Sequence, residues 1–600
     1  MHSKALQTHV YTFIPSIALL PSSEPEDPNM TDPTPEATPD LYDVIVVGAG
    51  NAALASAVSA KENGAGRVVV LEKAPREMRG GNTHWSGGVL RFAFDDPHEI
   101  GPLLPGVEQE FEDFYEGIQP YTRADFHGDL MRVTSGQTDP VLSRLLVDNS
   151  KDTVFWMHEN GVPMEPAITL TGVRKGNKVV WARGLVVRAE HEGVGLSTAW
   201  FARCEELGIE IRYGAAVISL LMDGNGHACG VKLRDDDGIR EIAGRAIILG
   251  CGGFEANVQM RTQHIGPLVG AAKVRGTPHN QGDGLRMAMN DMGAMPWGQW
   301  SGCHATPISA DWGNFAPREL TDRSNRLSYL YGVMINRRGL RFVDEGEDGA
   351  MFTYAKYGRA ILAEPGAKAY QVFDSQVVHL LEPRYSTSKP LMADTLEALV
   401  AQMDIDDKPT ALRTLQAFNA AARDASEGFD PTQKDGLCTQ GLSPEKTNWA
   451  VRLDKPPYYA YTATGGITFT FGGIKVDENA RVVGTDWRPI PGLLACGEMV
   501  GGLFYDNYPA GTGLVSGATF GRIAGRSAAQ MQSNSRAMTL PAATRHRAAA
   551  GHGADMVTAP PIAPPPPDIT GAAQSPPADP MTPAGAPPPG NTLVETSWVP

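Results

Sequence analysis

The stretch YDVIVVGAGNAALASAVSAKENGA, residues 42–65, decides the fold. Its first six residues form an apolar, β-branched run of buried-strand length, and a helix pattern rich in small residues follows. Gly48 makes the tight turn between them, Gly50 lets a pyrophosphate approach the backbone, and Ala53 allows the helix to pack closely on the strand. A second β run, RVVVLEK, ends near Glu72, where an acidic residue would take a ribose hydroxyl. This order of elements predicts a dinucleotide-binding βαβ unit rather than an ordinary βα turn.

The rest of the chain indicates which dinucleotide is bound. A glycine-flanked polar loop, RGGNTHWSGG at 79–88, would bring further backbone N–H groups to an extended cofactor. Residues 208–233 alternate as strand, turn and strand, with Asp-Gly-Asn-Gly at the turn. The β run RAIILG begins at 245, and another, GLLACGE, closes the set at 492–498. A dinucleotide domain that is interrupted by a long insertion and then resumed is typical of FAD proteins and predicts an α/β fold.

Composition limits the function classes. The 600 residues carry a formal net charge of −16 without a basic run, which argues against nucleic acid as a partner. No stretch approaches 18 consecutive apolar residues, so no membrane span is predicted. The six cysteines form no CxxC or CxxCH motif, which argues against a zinc site, an attached haem or an iron–sulfur cluster and favours a reducing cytoplasm. Residues 1–40 and the Pro-rich tail, 536–600, are predicted to be disordered.

Several motifs together resemble one known group. They are VVGAGNAALAS, LEKAP, GGNTHWSGG, GTPHNQGDG, RFVDE and ACGEMVGG, and they extend over residues 42–525 together with the glycine-rich turn that follows. The chain resembles the FAD-dependent fumarate reductase/succinate dehydrogenase flavoprotein superfamily. Within it, CGEMVGGLFYDNYPAGTGLVSGATFGR and GVMINRRGLRFVDE look like the tricarballylate dehydrogenase branch.

The resemblance implies a split Rossmann-like FAD-binding domain, 41–295 and 470–535, with an inserted α+β capping domain, 296–469, and substrate at the domain interface. Asn82 appears at the position where some members attach FAD covalently through a histidine, and His84 is offset, so non-covalent FAD is expected. Carried over by motif, the implied FAD contacts are Gly48, Gly50, Asn51, Glu72, Lys73, Gly81, Asn82, Thr83, Gly88, Asp283, Glu498, Gly513 and Leu514, with backbone contacts from Val217 to adenine.

The resemblance also suggests catalytic residues. His304 resembles the substrate histidine of an HPT motif in the family. Fumarate-reducing members carry a proton-donating arginine shortly after RFVxE, and here Tyr354, Lys356 and Arg359 compete for that role. A hydrogen-bonded structural histidine and a solvated surface arginine are the plainer interpretations of His304 and Arg359.

Two positions depart from the fumarate reductase pattern. The second substrate histidine aligns with Phe469, and the second substrate arginine aligns with Tyr508. A guanidinium binds carboxylate with two charge-assisted bonds, whereas a phenol offers one neutral donor. Tyr508-Pro509-Ala510-Gly511 also resembles the YPGxG turn of 3-ketosteroid Δ1-dehydrogenases, where the tyrosine polarises a ketone. Simple packing is the alternative role for Tyr508.

These observations predict an FAD-dependent oxidoreductase that acts on a C–C bond next to a carboxylate or carbonyl, with a separate electron donor or acceptor. A tricarballylate-like polycarboxylate is the leading substrate class and requires several cationic side chains in the pocket. A hydrophobic ketone, handled as in 3-ketosteroid Δ1-dehydrogenases, requires an apolar pocket. Fumarate reductase-like turnover and a flavin-binding subunit without turnover are further alternatives.

Overall fold

Strands and helices alternate along the chain in the computed structural model, which describes residues 41–111, 113–175 and 178–534. The two segments predicted to be disordered lie outside these residues. The strands are β1 (Leu41–Val47), β2 (Val68–Leu71), β3 (Val89–Leu90), β4 (Met164–Pro166), β5 (Gly172–Lys175), β6 (Lys178–Trp181), β7 (Val187–Ala189), β8 (Glu210–Arg212), β9 (Ala216–Met222), β10 (Ala228–Asp235), β11 (Gly238–Leu249), β12 (Lys273–Val274), β13 (Pro296–Trp297), β14 (Cys303–Ser309), β15 (Val333–Asn336), β16 (Ala369–Asp374), β17 (Leu391–Ala393), β18 (Tyr458–Thr470), β19 (Gly473–Ile474), β20 (Arg481–Val483) and β21 (Pro489–Ala495). The α-helices are α1 (Asn51–Glu62), α2 (Val107–Glu110), α3 (Arg123–Val133), α4 (Pro140–Glu159), α5 (Ile168–Thr171), α6 (Glu192–Glu206), α7 (Val258–Met260), α8 (Pro267–Gly270), α9 (Asp283–Met292), α10 (Ala350–Leu362), α11 (Leu396–Gln402), α12 (Lys408–Ala421) and α13 (Thr512–Asn534).

The larger sheet has the strand order β20-β21-β11-β1-β2-β8, with β10 on β11 and β9 on β10. Strands β21, β11, β1, β2 and β8 run parallel to their neighbours in this order. The four residues of β2 and the last four of β1 are buried, as expected for apolar strands covered on both faces. The predicted βαβ unit is therefore present as β1, α1 and β2.

The predicted hairpin at 223–226 joins β9 and β10, which pair antiparallel. The Asp223 carboxylate accepts hydrogen bonds from the backbone N–H groups of Asn225 (2.8 Å) and His227 (2.9 Å). Such Asx turns let a short polar residue fix a tight connection. Strand β11 pairs antiparallel with β10 and parallel with β1. The antiparallel and parallel parts therefore form one sheet.

The end of the described chain completes the first sheet. Strand β21 pairs parallel with β11, and Ile247 lies opposite Leu493. Helix α13 packs on α1 at short distance, because a Cβ on Gly525 would lie 2.2 Å from the carbonyl oxygen of Ser56. The α/β domain is thus split in sequence and continuous in space, as predicted.

The insertion contains a second sheet, built around β18. Strands β12, β14, β16 and β17 all pair with β18, and β15 pairs with β16. Helix α10 lies closely on β14, where a Cβ on Gly358 would be 2.3 Å from the carbonyl oxygen of Ala305. This α+β insertion agrees with the predicted architecture. The limits 41–295, 296–469 and 470–535 stay a prediction, and β12 joins this sheet from before residue 296.

No helix among the described residues is long and apolar enough to cross a membrane. All six cysteines are free thiols.

Candidate cofactor and substrate site

One cavity lies where the carboxyl ends of β1 and β2 meet the starts of α1 and α13, and it extends to β18 and the loop before α13. Its lining includes most residues that the motifs predict for FAD and two of those predicted for catalysis: Gly48, Gly50, Asn51, Glu72, Lys73, Gly81, Asn82, Thr83, Val217, Asp283, Glu498, Gly513, Leu514, His304 and Tyr508. The cavity is therefore assembled from both parts of the split domain and from the insertion.

The two motif glycines differ in what a side chain would meet. Gly48 has a φ of +101°, and a Cβ there would lie 2.6 Å from the carbonyl oxygen of Gly250. At Gly50 the nearest atom to a Cβ is Thr83 Oγ1 at 3.7 Å. A glycine is thus needed at position 48 because of the positive φ and the close backbone of Gly250. At position 50 the missing side chain instead leaves space for a ligand in the cavity.

Asn51 connects the beginnings of the two long helices. Its backbone N–H donates to Thr83 Oγ1 at 2.9 Å, and its side-chain amide donates to the carbonyl oxygen of Leu514 at 2.8 Å. The indole N–H of Trp200 donates to Asn51 Oδ1 at 2.9 Å. These bonds hold the helix start and the 79–88 loop around one wall of the cavity.

The acidic residue of the motif is buried at another wall. Glu72 accepts hydrogen bonds from the backbone N–H groups of Ala49 (2.9 Å) and Ala74 (2.7 Å). Burial raises the pKa of Glu72 above its ordinary value, and these two bonds oppose that shift. Beside it, Lys73 Nζ lies 2.5 Å from Asp283 Oδ2 in an ion pair that also lines the cavity.

Five aromatic rings meet at the substrate end of the cavity. His304 stacks on Phe469 with the ring centroids 4.9 Å apart, and Tyr508 contacts His304, Phe469 and Phe504 edge-on at 4.8–5.3 Å. The hydroxyl groups of Tyr354 and Tyr508 share a hydrogen bond of 2.6 Å. We call these five residues the aromatic cluster.

Four residues of the aromatic cluster are buried and Phe469 is partly buried, and the cluster is uncharged at neutral pH. Burial, and next the positive charge of Arg275, lowers the pKa of His304 well below its ordinary value. Neither ring nitrogen of His304 has a hydrogen-bond partner among the described residues. Burial also raises the pKa of Tyr354 well above its ordinary value and that of Tyr508 in the same direction. The cluster therefore presents a neutral imidazole and neutral phenols.

Arg275 is the one arginine among the described residues that line the cavity. Its guanidinium donates to Asp322 Oδ1 at 2.7 Å, to the carbonyl oxygen of Trp85 at 2.6 Å and to Thr468 Oγ1 at 3.1 Å. The buried Arg384 also pairs with Asp322. Arg275 is consequently a fixed and paired cation rather than a free carboxylate clamp.

The donor set of the cavity fits FAD. The space at Gly50 and Gly513, where a Cβ would meet no atom closer than 3.7 Å, accommodates a ligand close to the backbone. The N-terminal N–H groups of α1 and α13 favour negative charge, as a pyrophosphate or a reduced flavin requires. Glu72, Lys73 and Asp283 add polar groups for the nucleotide part.

The profile of the FAD binding domain family matches residues 43–514. The chain belongs to this family. It is 28% identical over 496 residues to a fumarate reductase (cytochrome) of Shewanella frigidimarina, an alignment that covers 82% of this chain and 77% of the relative. It is 26% identical over 566 residues to a 3-oxosteroid 1-dehydrogenase of Mycobacterium tuberculosis, covering 80% and 97%.

Two solved structures show the same fold. The open conformation of a flavocytochrome c3 fumarate reductase has a TM-score of 0.59 at 24% identity, covering 82% of this chain and 78% of that one. A 3-ketosteroid Δ1-dehydrogenase from Sterolibacterium denitrificans has a TM-score of 0.62 at 20% identity, covering 82% and 100%. The protein is an FAD-dependent oxidoreductase of the FAD binding domain family, as predicted, and its relatives include a fumarate reductase. The tricarballylate branch stays a prediction.

Five of the predicted residues do not line this cavity: Ala53, Gly88, Arg359, Tyr354 and Lys356. Ala53 is fully buried and would touch a Cβ on Gly250, which agrees with its predicted packing role. Gly88 has a φ of +68° and lies against the backbone of Glu192. Arg359 lines a separate cavity, 3.8 Å from Asp506.

The other two residues, Tyr354 and Lys356, lie in different surroundings. Tyr354 reaches the aromatic cluster through its bond to Tyr508, although it is not itself part of the cavity lining. Lys356 is held by Glu347 at 2.6 Å at the surface. His84 bonds the carbonyl oxygen of Arg318, and Asn82 lines the cavity. Non-covalent attachment of FAD stays a prediction.

Sequence reasoning missed Phe504 and Arg275. Phe504 lies before Tyr508 in the loop that leads to α13. Its aromatic side chain was the one sign in the sequence that it could join the aromatic cluster. Arg275 precedes the quoted GTPHNQGDG motif, and only the folded structure shows that it lines the cavity.

Proposed function

We propose that this FAD-dependent oxidoreductase introduces or reduces a C–C double bond adjacent to a ketone. The observation that carries the proposal is the 2.6 Å bond between the Tyr354 and Tyr508 hydroxyls within the aromatic cluster. Two coupled phenols offer one hydrogen-bond donor for a carbonyl oxygen and a second hydroxyl that orients it.

The phenols would bind the ketone. Tyr508 lines the cavity, and its hydroxyl would donate to the ketone oxygen, which makes the neighbouring C–H bond more acidic. Tyr354 would keep Tyr508 in place through the bond between their hydroxyls. In the oxidative direction the proton that leaves this carbon would pass to the neutral imidazole of His304, whose ring nitrogens have no partner among the described residues. When bound, FAD would accept or supply the hydride. The stacked rings of Phe469 and His304 would exclude water from the reacting carbon.

The charges around the cavity favour a ketone over a polycarboxylate. Among the described residues that line the cavity, one is a lysine, Lys73, and one is an arginine, Arg275. Each of them is paired with a carboxylate. A carboxylate of the substrate would have to compete with Asp283 or Asp322. A ketone requires only the neutral donor that the tyrosine pair provides.

The relative named 3-oxosteroid 1-dehydrogenase supports a steroid-like ketone as the first compound to test. The FAD-loaded protein is mixed without oxygen with a 3-ketosteroid, with tricarballylate and with succinate, and flavin absorbance is followed. Bleaching by the ketosteroid alone supports the proposal in the oxidative direction. Bleaching by tricarballylate or succinate instead would overturn it in favour of a carboxylate substrate.

The reductive direction needs a matched experiment. The flavin is first reduced chemically, and its reoxidation by an enone, fumarate or aconitate is followed without oxygen. Reoxidation by the enone supports the proposal, and reoxidation by the carboxylates alone contradicts it. A flavin that none of the compounds oxidises or reduces would support the predicted flavin-binding subunit. A separate electron partner and a cytoplasmic location stay predictions from the sequence.

A further inference from the structure

Two buried carboxyl groups lie together beside the cavity. Glu255, six residues after β11, is fully buried, and Glu498 lines the cavity. Each side chain lies close enough to the other to influence its pKa. Among the described residues, no Lys, Arg or His forms an ion pair with either group. Arg261 is the cation whose charge acts on Glu255, but its guanidinium bonds backbone carbonyls at 270 and 272.

The hydrogen bonds show where a proton is needed. Glu255 Oε1 accepts from the side-chain amides of Asn82 and Asn280, both at 2.5 Å. Glu498 Oε1 accepts from the backbone N–H of Thr470 at 2.6 Å and from its hydroxyl at 3.0 Å. Glu255 Oε2 is buried and has no hydrogen-bond partner within the described ranges. Two ionised carboxylates cannot bond to each other without a proton between them, and two unpaired buried charges are costly.

We propose that Glu255 is a neutral carboxylic acid whose Oε2 donates its proton to the Glu498 carboxylate, so that the pair presents one negative charge to the FAD cavity. Glu255 is thus a positioning residue that acts through Glu498. The N–H and O–H donors of Thr470 stabilise the ionised form of Glu498. Glu255 Oε2 accepts no hydrogen bond from the described residues, so the proton is placed on this oxygen.

The pH behaviour of the two groups agrees with this assignment. Burial and the adjacent charge of Glu498 raise the pKa of Glu255 well above its ordinary value. Burial raises the pKa of Glu498 to about 7. The pair therefore carries one charge above neutral pH and takes up a second proton below it, and its apparent pKa values belong to both residues together.

The pair would influence the flavin through this charge. Glu498 contacts Thr470, and the neighbouring Phe469 belongs to the aromatic cluster, so the charge lies near the substrate end of the cavity. A reduced flavin carries more negative charge than an oxidised one and is favoured when the pair is neutral. The reduction potential of the bound flavin should consequently rise more steeply as pH falls through 7 than it would without the pair.

The first test is infrared spectroscopy of the FAD-loaded, full-length protein at pH 8, with and without ¹³C-labelled glutamate. We expect Glu255→Gln to lose one protonated glutamate band that the wild type shows. The matched control is Glu345→Gln, because Glu345 is equally buried but paired with Arg341, and it should lose no such band. An unchanged set of protonated bands in Glu255→Gln overturns the proposal.

A second measurement has a first part that needs no variant. In the wild type alone, the protonated glutamate signal should grow between pH 8 and pH 6 as Glu498 takes up its proton. The potential of the bound flavin is then titrated from pH 6 to pH 8 in the wild type and in Glu255→Gln/Glu498→Gln. A flatter slope in the double variant supports the proposal, and equal slopes overturn its effect on the flavin. Neither measurement uses substrate, so the ketone proposal is tested separately.

Discussion

The nucleotide end and the substrate end of the cavity are built in different ways. At the nucleotide end, Gly48, Gly50 and Glu72 come from one βαβ unit, and their positions follow from the order of its elements. At the substrate end, His304 comes from β14 and Tyr354 from α10, and each is brought to the other by the packing of the insertion. The comparison teaches that cofactor binding here is a local property of the sequence, whereas the chemistry over the flavin is a tertiary one.

The largest expected effect tests the local end. Gly50→Val should leave the fold intact, because a Cβ there meets nothing closer than 3.7 Å, but should block the pyrophosphate. We expect FAD affinity to fall by roughly 100-fold or more, about 3 kcal/mol, as measured by flavin fluorescence titration. Gly128→Val, at a helical glycine with open space around it, serves as the control. A purified Gly50→Val protein that retains the yellow flavin would contradict the assignment.

The next effect tests the tertiary end. Tyr508 lines the cavity, and Tyr508→Phe removes the hydroxyl that bonds Tyr354 while the ring contacts remain. We expect FAD to stay bound and the anaerobic rate of flavin reduction or reoxidation to fall roughly 100-fold, as for the loss of one positioned donor. The control is Tyr331→Phe, whose hydroxyl bonds the carbonyl oxygen of Pro431 in the insertion. Unchanged rates would reduce Tyr508 to a packing residue.

A third expected effect is that the stability of the folded protein depends on pH through Glu498. The ordinary pKa of Glu498, near 4.5, applies to the unfolded chain, and burial raises it to about 7 in the folded protein. Between these pH values the folded state holds a proton that the unfolded state releases, so stability decreases as pH rises through this window. The contribution is up to about 3 kcal/mol.

Thermal unfolding of the wild type and Glu498→Gln from pH 4.5 to pH 7.5 measures this contribution. The melting temperature of the variant should fall less with rising pH than that of the wild type. Glu397→Gln, at an exposed position, should follow the wild type. Parallel curves for wild type and Glu498→Gln would show that the carboxyl pair does not take up its proton in this range.

The smallest expected effect concerns Arg359, which does not line the cofactor cavity. Arg359→Gln should change turnover by less than roughly 3-fold, because its partly exposed guanidinium faces Asp506 at 3.8 Å, and such pairs contribute little. Lys356→Gln is a matched change on the same helix. A loss of turnover comparable to that of Tyr508→Phe would instead restore the predicted acid/base role of Arg359.

The same difference explains what could be predicted from the sequence. The apolar strand at 42–47, the glycine turn and the hairpin at 223–226 have local signals, and the structure has all of them. The contact between Tyr354 and Tyr508 joins residues 154 positions apart, and no period or spacing encodes it. Glu255 had a weaker signal, since it follows a strand that ends at the cofactor site, but its partner Glu498 lies in the resumed part of the domain.

The parallel pairing of β11 with β21 has a consequence for how the protein is made. Ile247–Leu249 emerge from the ribosome long before their partners Leu493–Ala495 are synthesised. At about 5–20 residues per second, that strand edge waits for on the order of tens of seconds, during which it is open to pairing with other chains. The nucleotide-binding sheet can therefore be completed only after the whole insertion has been synthesised, and a chain truncated within the insertion would lack the partner of this strand edge.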